Sequence, residues 1–269
     1  MWHRNRCASE CVYDIQGDIG MDASKIEEIV TFFDSDECIE AFHDIGKLKS
    51  EYKDKFVDLY NRCNEINGKT TYKGLSREET TRLKGQCLEK LLKATFEYTG
   101  KYFETYENLG TSTNEIDLLL RLTKRGKMLC PKVINEYYRT FICECKNYKK
   151  PVDVTYIGKF YSLMRVSSLK LGLMVSWKGV GGKGWEHGKG LIKKICMSRE
   201  RIDEKTFILD FNKTDFERLI NGETVFDIID QKYQELLLDI SFEEYIKKHP
   251  NEDELEYRIN CLKYEMDMA

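Results

Sequence analysis

Residues 141–153 read FICECKNYKKPVD. An apolar, β-prone run carries a glutamate and a lysine through its middle, then gives way to lysines and a proline. In a strand, successive side chains face opposite sides, so Phe141, Cys143 and Cys145 share one face while Ile142, Glu144 and Lys146 share the other. The odd-numbered face reads as core. Glu144 and Lys146 then project together toward a cleft near the strand's end. An isolated buried charge is costly, so two charges on one apolar strand are expected to serve each other or a metal.

An acid two residues before a lysine is a weak pattern by itself, since it recurs at Glu51 with Lys53, Asp203 with Lys205 and Asp230 with Lys232. Those pairs fall in polar or helix-like sequence. Only Glu144 with Lys146 sits inside a strand, and a second acid interrupts an apolar strand upstream, Asp117 in NEIDLLL. If the two strands are antiparallel neighbours, Asp117 and Glu144 lie side by side. Carboxylates held that close repel unless a cation neutralises them, and hard oxygen donors favour magnesium or manganese. The plain alternative is an interstrand salt bridge between Asp117 and Lys146.

Outward from this stretch the period of the sequence changes several times. Apolar positions at helical spacing run from Ile26 to Tyr60, with a break at Asp34 and Ser35, and the polar segment NGKTTYKG (67–74) reads as a boundary. Ser76 followed by Glu79 is a capping-box pattern opening a helix to about Tyr98, stopped by Gly100. KYFETYENL, EIDLLLRL and YYRTFICECK read as three strands, with a loop around RGKMLCPK. Asp153 caps a helix to about Ser168, KLGLMVSW is a buried strand, a helix spans about 188–200, TFILDF is a further strand, and helices follow from Thr214. The order implies an α/β fold: a three-layer core in which a mixed sheet is flanked by helices, with helical N- and C-terminal extensions. The expected division is a helical arm over 1–75, a core over 76–222 and a helical extension over 223–269. The arm's role is left open between dimerisation, regulation and docking.

The 269 residues are 41% hydrophobic and 33% charged, and no run approaches the roughly 18 apolar residues of a membrane helix. The first residues lack the apolar stretch of a secretory signal, and a cytoplasmic protein is expected. The ten cysteines include no CxxC pair, and reduced thiols are expected. His3, Cys7 and Cys11 form at most part of a metal cluster. The net charge of −3 hides an asymmetry: residues 120–205 hold 20 Lys and Arg against seven Asp and Glu. A basic middle between acidic ends is an electrostatic footprint for a polyanion, or else a set of solvated helix faces.

Asp117 followed by Glu144-Cys145-Lys146 resembles the PD-(D/E)xK nuclease signature, and the surrounding text is most similar to Mrr-type restriction endonucleases. The resemblance runs from about Lys84 to Asp210 and includes GQCLE at 85–89, the lysine-rich turn after the charged strand and the strand GLMVSW. Ile116 stands where the motif's name has proline. The resemblance implies a restriction-endonuclease-like fold and a metal-dependent endonuclease cutting DNA, in a setting of restriction or anti-phage defence. Asp117, Glu144 and Lys146 would be catalytic. Asp117, Glu144, the Cys145 carbonyl and Glu89 would hold Mg²⁺, with Mn²⁺ able to substitute.

Contacts to DNA would come from Lys149, Lys150, Lys159, Arg165, Lys178 and Lys183, and a homo-oligomer or protein partner would dock on the helical extensions. The alternatives are a nucleic-acid-binding module without turnover and an RNA nuclease. Tyr148 is a further phosphate contact or part of a solvated turn. His187 is a base, a substrate contact or solvated. Trp177 and Trp185 stack on bases or pack. The glycine-rich segment 178–190 is a plain connection, a set of phosphate-binding NH groups or a lid, and it contains no P-loop pattern.

Overall fold

The computed structural model describes residues 23–110, 115–129, 139–182, 187–199, 201 and 204–239. Its centre is a five-stranded sheet in chain order: β1 (Phe103–Gly110), β2 (Glu115–Leu122), β3 (Thr140–Cys145), β4 (Leu171–Val175) and β5 (Phe207–Phe211). The first three strands are antiparallel neighbours. The β3–β4 and β4–β5 pairs are parallel, because a helix intervenes each time: α6 (Val154–Val166), then α7 (Gly188–Met197). β4 is buried along its whole length, as the continuous apolar run predicts. The expected mixed sheet between helices is what the chain forms.

Helix α4 (Arg77–Glu97) begins at Ser76 with both capping-box hydrogen bonds formed. It presents Leu88, Leu91, Leu92 and Phe96 to the core, where Phe96 meets Phe103 and Phe141 edge to face. On the other side of the sheet, Asp153 caps α6, whose Phe160 and Met164 press on Gly172 of β4. A Cβ at Gly172 would stand 2.7 Å from the Met164 sulfur and 2.8 Å from the Phe160 ring, so only glycine allows this approach. The segment around RGKMLCPK, expected as a loop, contains the short helix α5 (Lys124–Leu129).

The chain folds as two compact units, residues 1–41 and 42–269. The first unit holds α1 (Ala23–Asp34) and the start of α2 (Asp36–Gly46), with the break at Ser35 where the sequence puts it. In the second unit, α3 (Ser50–Asn67) buries Phe56, Tyr60, Cys63 and Ile66 and packs along α4. The compact unit therefore begins well upstream of the 67–74 segment. At the other end, α8 (Lys213–Ile220) precedes α9 (Val225–Leu238), which packs on β5 through Tyr233 against Phe207.

The expectation of reduced thiols is corrected at one place. Packing of α3 on α4 brings Cys63 and Cys87 to a Cα separation of 5.7 Å, and the two are joined as a disulfide. Cys38, Cys143, Cys145 and Cys196 are free and buried. His3, Cys7 and Cys11 lie outside the described residues. No helix among the described residues is long and apolar enough to cross a membrane.

Candidate active site

β2 and β3 pair with Leu118 opposite Cys143 and Leu119 opposite Ile142. Asp117 follows at the end of this pairing, where the Cys145 NH and the Lys146 ammonium reach it. Phe141, Cys143 and Cys145 are buried on the face away from Glu144, so the alternation read from the sequence holds. Glu144 and Lys146 are half-buried, with side-chain exposures of 17% and 23%; Asp117 is at 19%.

Lys146 bridges the two acids, its Nζ 2.5 Å from Glu144 Oε1 and 3.8 Å from Asp117 Oδ2. Asp117 Oδ2 also accepts a hydrogen bond from the backbone NH of Cys145 at 2.7 Å, which ties the acid to the adjacent strand. Lys146 itself donates its NH to the Val175 carbonyl, 2.8 Å away, so its backbone is held by β4.

Glu89, on α4, approaches from the layer above the sheet. It lines a cavity of about 10 Å³ with Leu92, Glu107, Asn108, Asp117, Leu118 and Cys145, about the room of one water-sized particle. Burial raises the pKa of Glu89, and the charge of Asp117 raises it further against an opposing pull from Lys146. Burial also raises Glu144, with Asp117 adding to it and the bond to Lys146 opposing. For Lys146, burial works against its charge, but the bond and charge of Glu144 and the charge of Asp117 outweigh it and hold the pKa above its ordinary value. Two carboxylates thus pair with one lysine, and Glu89 adds a third acid within reach of the Asp117 charge.

A hard divalent cation fits this donor set in kind, with the Asp117, Glu144 and Glu89 carboxylates and the Cys145 carbonyl as oxygen donors. Among the described residues, no three His, Cys, Asp or Glu side chains converge closely enough to hold an ion as they stand. The Lys146 ammonium bridges two of these acids instead.

The other residues singled out in the sequence fall in several places. Lys149 and Lys150 are exposed in the turn after β3, and Lys178 is exposed just after β4, all near the carboxyl ends of the parallel strands. Lys159 is exposed on α6, with Nζ 5.9 Å from the Tyr156 ring centroid. Arg165 is exposed at the far end of α6, beside Lys170 and Thr206 at the opposite edge of the sheet, so the fold does not bring it to Lys146. Of the two readings of Trp177, packing is the one the fold realises: only 6% exposed, it lies against Tyr60 and Phe216. His187 is exposed at the N-cap position of α7 and folded over Gly182. Lys183 and Trp185 lie outside the described residues.

The described ends of the glycine-rich segment are pinned to the residues before α6. Val152 NH donates to Gly179 O and Gly181 NH to Val152 O, both at 2.9 Å. Two further groups border the site. Tyr148, exposed, lies against Tyr156 with ring centroids 5.0 Å apart, and burial with the bond to Tyr156 pushes its pKa up to about 12. Asn147 is buried and donates Nδ2 to the Lys84 carbonyl at 2.8 Å. Nothing in the local sequence marks Asn147 or Lys84, because their relation spans 63 residues.

The mixed sheet thus carries two acids and a lysine at the β2–β3 pair, with a third acid on the preceding helix α4. Residues 80–204 match the family model described as restriction endonuclease, of the Mrr catalytic type. Comparisons with curated proteins and with solved structures give no match.

Proposed function

We propose that this protein is an endonuclease that hydrolyses DNA phosphodiester bonds with a divalent cation, Mg²⁺ in the first place and Mn²⁺ as a substitute. The observation that carries this reading is the convergence of Asp117, Glu144 and Lys146 at the end of β3, within a chain whose residues 80–204 match a restriction endonuclease family. Asp117, Glu144, the Cys145 carbonyl and Glu89 would hold the cation, which stabilises negative charge on the phosphoryl oxygens and lowers the pKa of water.

The chain's own groups do the rest. Lys146 is kept charged by the two acids, so it orients the attacking water; when those acids are otherwise engaged it loses that support and becomes a better base. The buried Phe141–Cys143–Cys145 face fixes the strand, and with it the spacing of the two charges. Lys149, Lys150, Lys178 and Lys159 supply contacts to backbone phosphates. Restriction of foreign DNA is the setting proposed for this activity, with protein partners docking on the helices outside the sheet.

The test is a nicking assay on supercoiled plasmid with Mg²⁺, Mn²⁺ or Ca²⁺, with RNA alongside. Cleavage of plasmid in Mg²⁺, its loss in the Lys146→Ala variant, and inhibition by Ca²⁺, which accepts the same oxygens with looser geometry, are expected. Cleavage of RNA alone, or of neither substrate, would overturn the DNA reading.

A further inference from the structure

Three lysines from three separate segments gather beside the candidate active site. Lys84 belongs to α4, Lys149 to the turn after β3 and Lys178 to the turn after β4. The two turns leave the carboxyl ends of adjacent parallel strands, the side on which open α/β sheets bind ligands. Burial lowers the pKa of Lys84, and the like charges of Lys149 and Lys178 lower it further. Among the described residues, none of the three has an ion-pair partner, whereas Lys146 nearby has two. Like charges assembled without a counter-charge are costly unless an anion joins them.

Lys84 is also held more firmly than a surface lysine. Its Nζ donates to the Lys69 carbonyl at 2.6 Å, which orients the ammonium group while leaving it further protons to give. Its own carbonyl accepts from Asn147 Nδ2 at 2.8 Å. Asn147 is only 8% exposed, and its Oδ1 is buried with no hydrogen-bond partner among the described residues. Buried amides are ordinarily satisfied at both ends. This one forgoes a hydrogen bond at its oxygen and uses its nitrogen to fix α4 to the residue next to Lys146.

We propose that Lys84, Lys149 and Lys178 form a cradle for a backbone phosphate neighbouring the bond to be cut, with Asn147 as the strut that sets Lys84 relative to Lys146. The proposal rests on the nuclease reading and adds to it a cation and a positioning residue that the sequence does not mark. A lysine releases counterions from any phosphate it meets, so the cradle is expected to be blind to base sequence.

The experiment measures equilibrium binding of a labelled DNA duplex to the full chain without metal over a salt series. Wild type, Lys84→Gln, Lys84→Arg, Asn147→Ala, the Lys84→Gln/Asn147→Ala double variant and Lys90→Gln, an exposed control on the same helix, are compared. Loss of one phosphate contact should cut the log–log slope by about 0.9 and weaken binding about tenfold at low salt in Lys84→Gln. Lys84→Arg should keep the slope, and Lys90→Gln should match wild type. Asn147→Ala should lose the same contact, and the double variant should lose no more than Lys84→Gln, since both act through one group. Wild-type binding with an unchanged slope in Lys84→Gln overturns the cradle alone. Additive losses in the double variant overturn the strut. No duplex binding by wild type removes the nuclease reading and the cradle with it.

Discussion

Two clusters of acids and lysine lie at opposite parts of the sheet, and they are built differently. Near the end of β3, Asp117 and Glu144 share Lys146 with Glu89 close by, and all four groups keep some exposure. Beyond β5, Asp215 of α8 is 3% exposed, with Oδ1 at 3.0 Å from Lys232 Nζ and 3.8 Å from Arg218 Nη1. Its Oδ2 accepts from the Asn212 NH at 2.7 Å in the capping box that starts the helix. Burial raises the pKa of Asp215, and Lys232 leads the groups that pull it back. Each oxygen of Asp215 is thus engaged, while Arg218 also pairs with Glu223 and Lys232 also acts on the buried Asp210. In the β3 cluster one lysine bridges two acids, and the charge of Asp117 reaches Glu89 as well. A satisfied buried ion pair holds structure, while an excess of one charge at a partly open site holds a place for a counter-charge from outside.

The largest effect that would test this contrast is on turnover. Glu144→Ala and Lys146→Ala should each reduce plasmid cleavage by about 10³-fold or more while the circular-dichroism spectrum stays that of wild type. Asp215→Ala, measured below its melting point, should cleave at close to the wild-type rate. Equal losses in all three would erase the distinction.

Stability should respond in reverse. Asp215→Ala leaves Lys232 without the carboxylate it faces and removes a helix cap, at a cost of about 3 kcal/mol in a denaturant titration. Cys145→Asp, which puts a charge on the buried face of β3, should be as damaging or worse. A cooperative Cys145→Asp protein with wild-type stability would mean that this face is not core.

Metal should separate the clusters next. Mg²⁺ or Mn²⁺ is expected to raise the melting temperature of wild type by mass action, and Asp117→Asn should blunt the rise. Asp215→Asn should leave it intact. The same metal response in Asp117→Asn as in wild type would return Asp117 to an ordinary salt bridge.

The smallest effect is a pH dependence. Glu89 and Glu144 have raised pKa values in the fold, so between the ordinary carboxylate pKa and the folded one the native state binds more protons than the unfolded chain. Stability from these groups therefore grows as pH falls through that window and shrinks as pH rises through it. In metal-free protein, Glu89→Gln should be more stable than wild type at pH 7, and the gap should close toward pH 5. A gap that widens on acidification would show that Glu89 is a stabilised carboxylate.

Much of the fold was legible because it rests on local patterns. The capping box at Ser76 and Glu79, the Asp153 cap and the unbroken apolar run of β4 each specify an element over a few residues. The alternation in FICECK likewise put Glu144 on the face away from Phe141. The site was legible only as far as residue type and strand face allow. Beside a glycine-rich stretch, Trp177 could stack on a base or pack, and Tyr60 and Phe216, from helices far away in the chain, decide for packing. Arg165 shares a helix with Lys159 but ends at the other edge of the sheet, because a helix antiparallel to its strands carries its two ends to opposite edges.

By itself, then, the sequence determined the order of strands and helices, the buried face of β3 and the charged pair Glu144 and Lys146, since periodicity and caps are short-range properties of the chain. Tertiary structure alone decided which distant charges meet. The β2–β3 pairing brings Asp117 and Glu144 to one lysine, α4 brings Glu89 and Lys84 over the strand ends, the α3–α4 packing joins Cys63 to Cys87, and Asn147 reaches a carbonyl 63 residues away. Electrostatic meaning depends on distance in space, and only packing converts sequence separation into that distance.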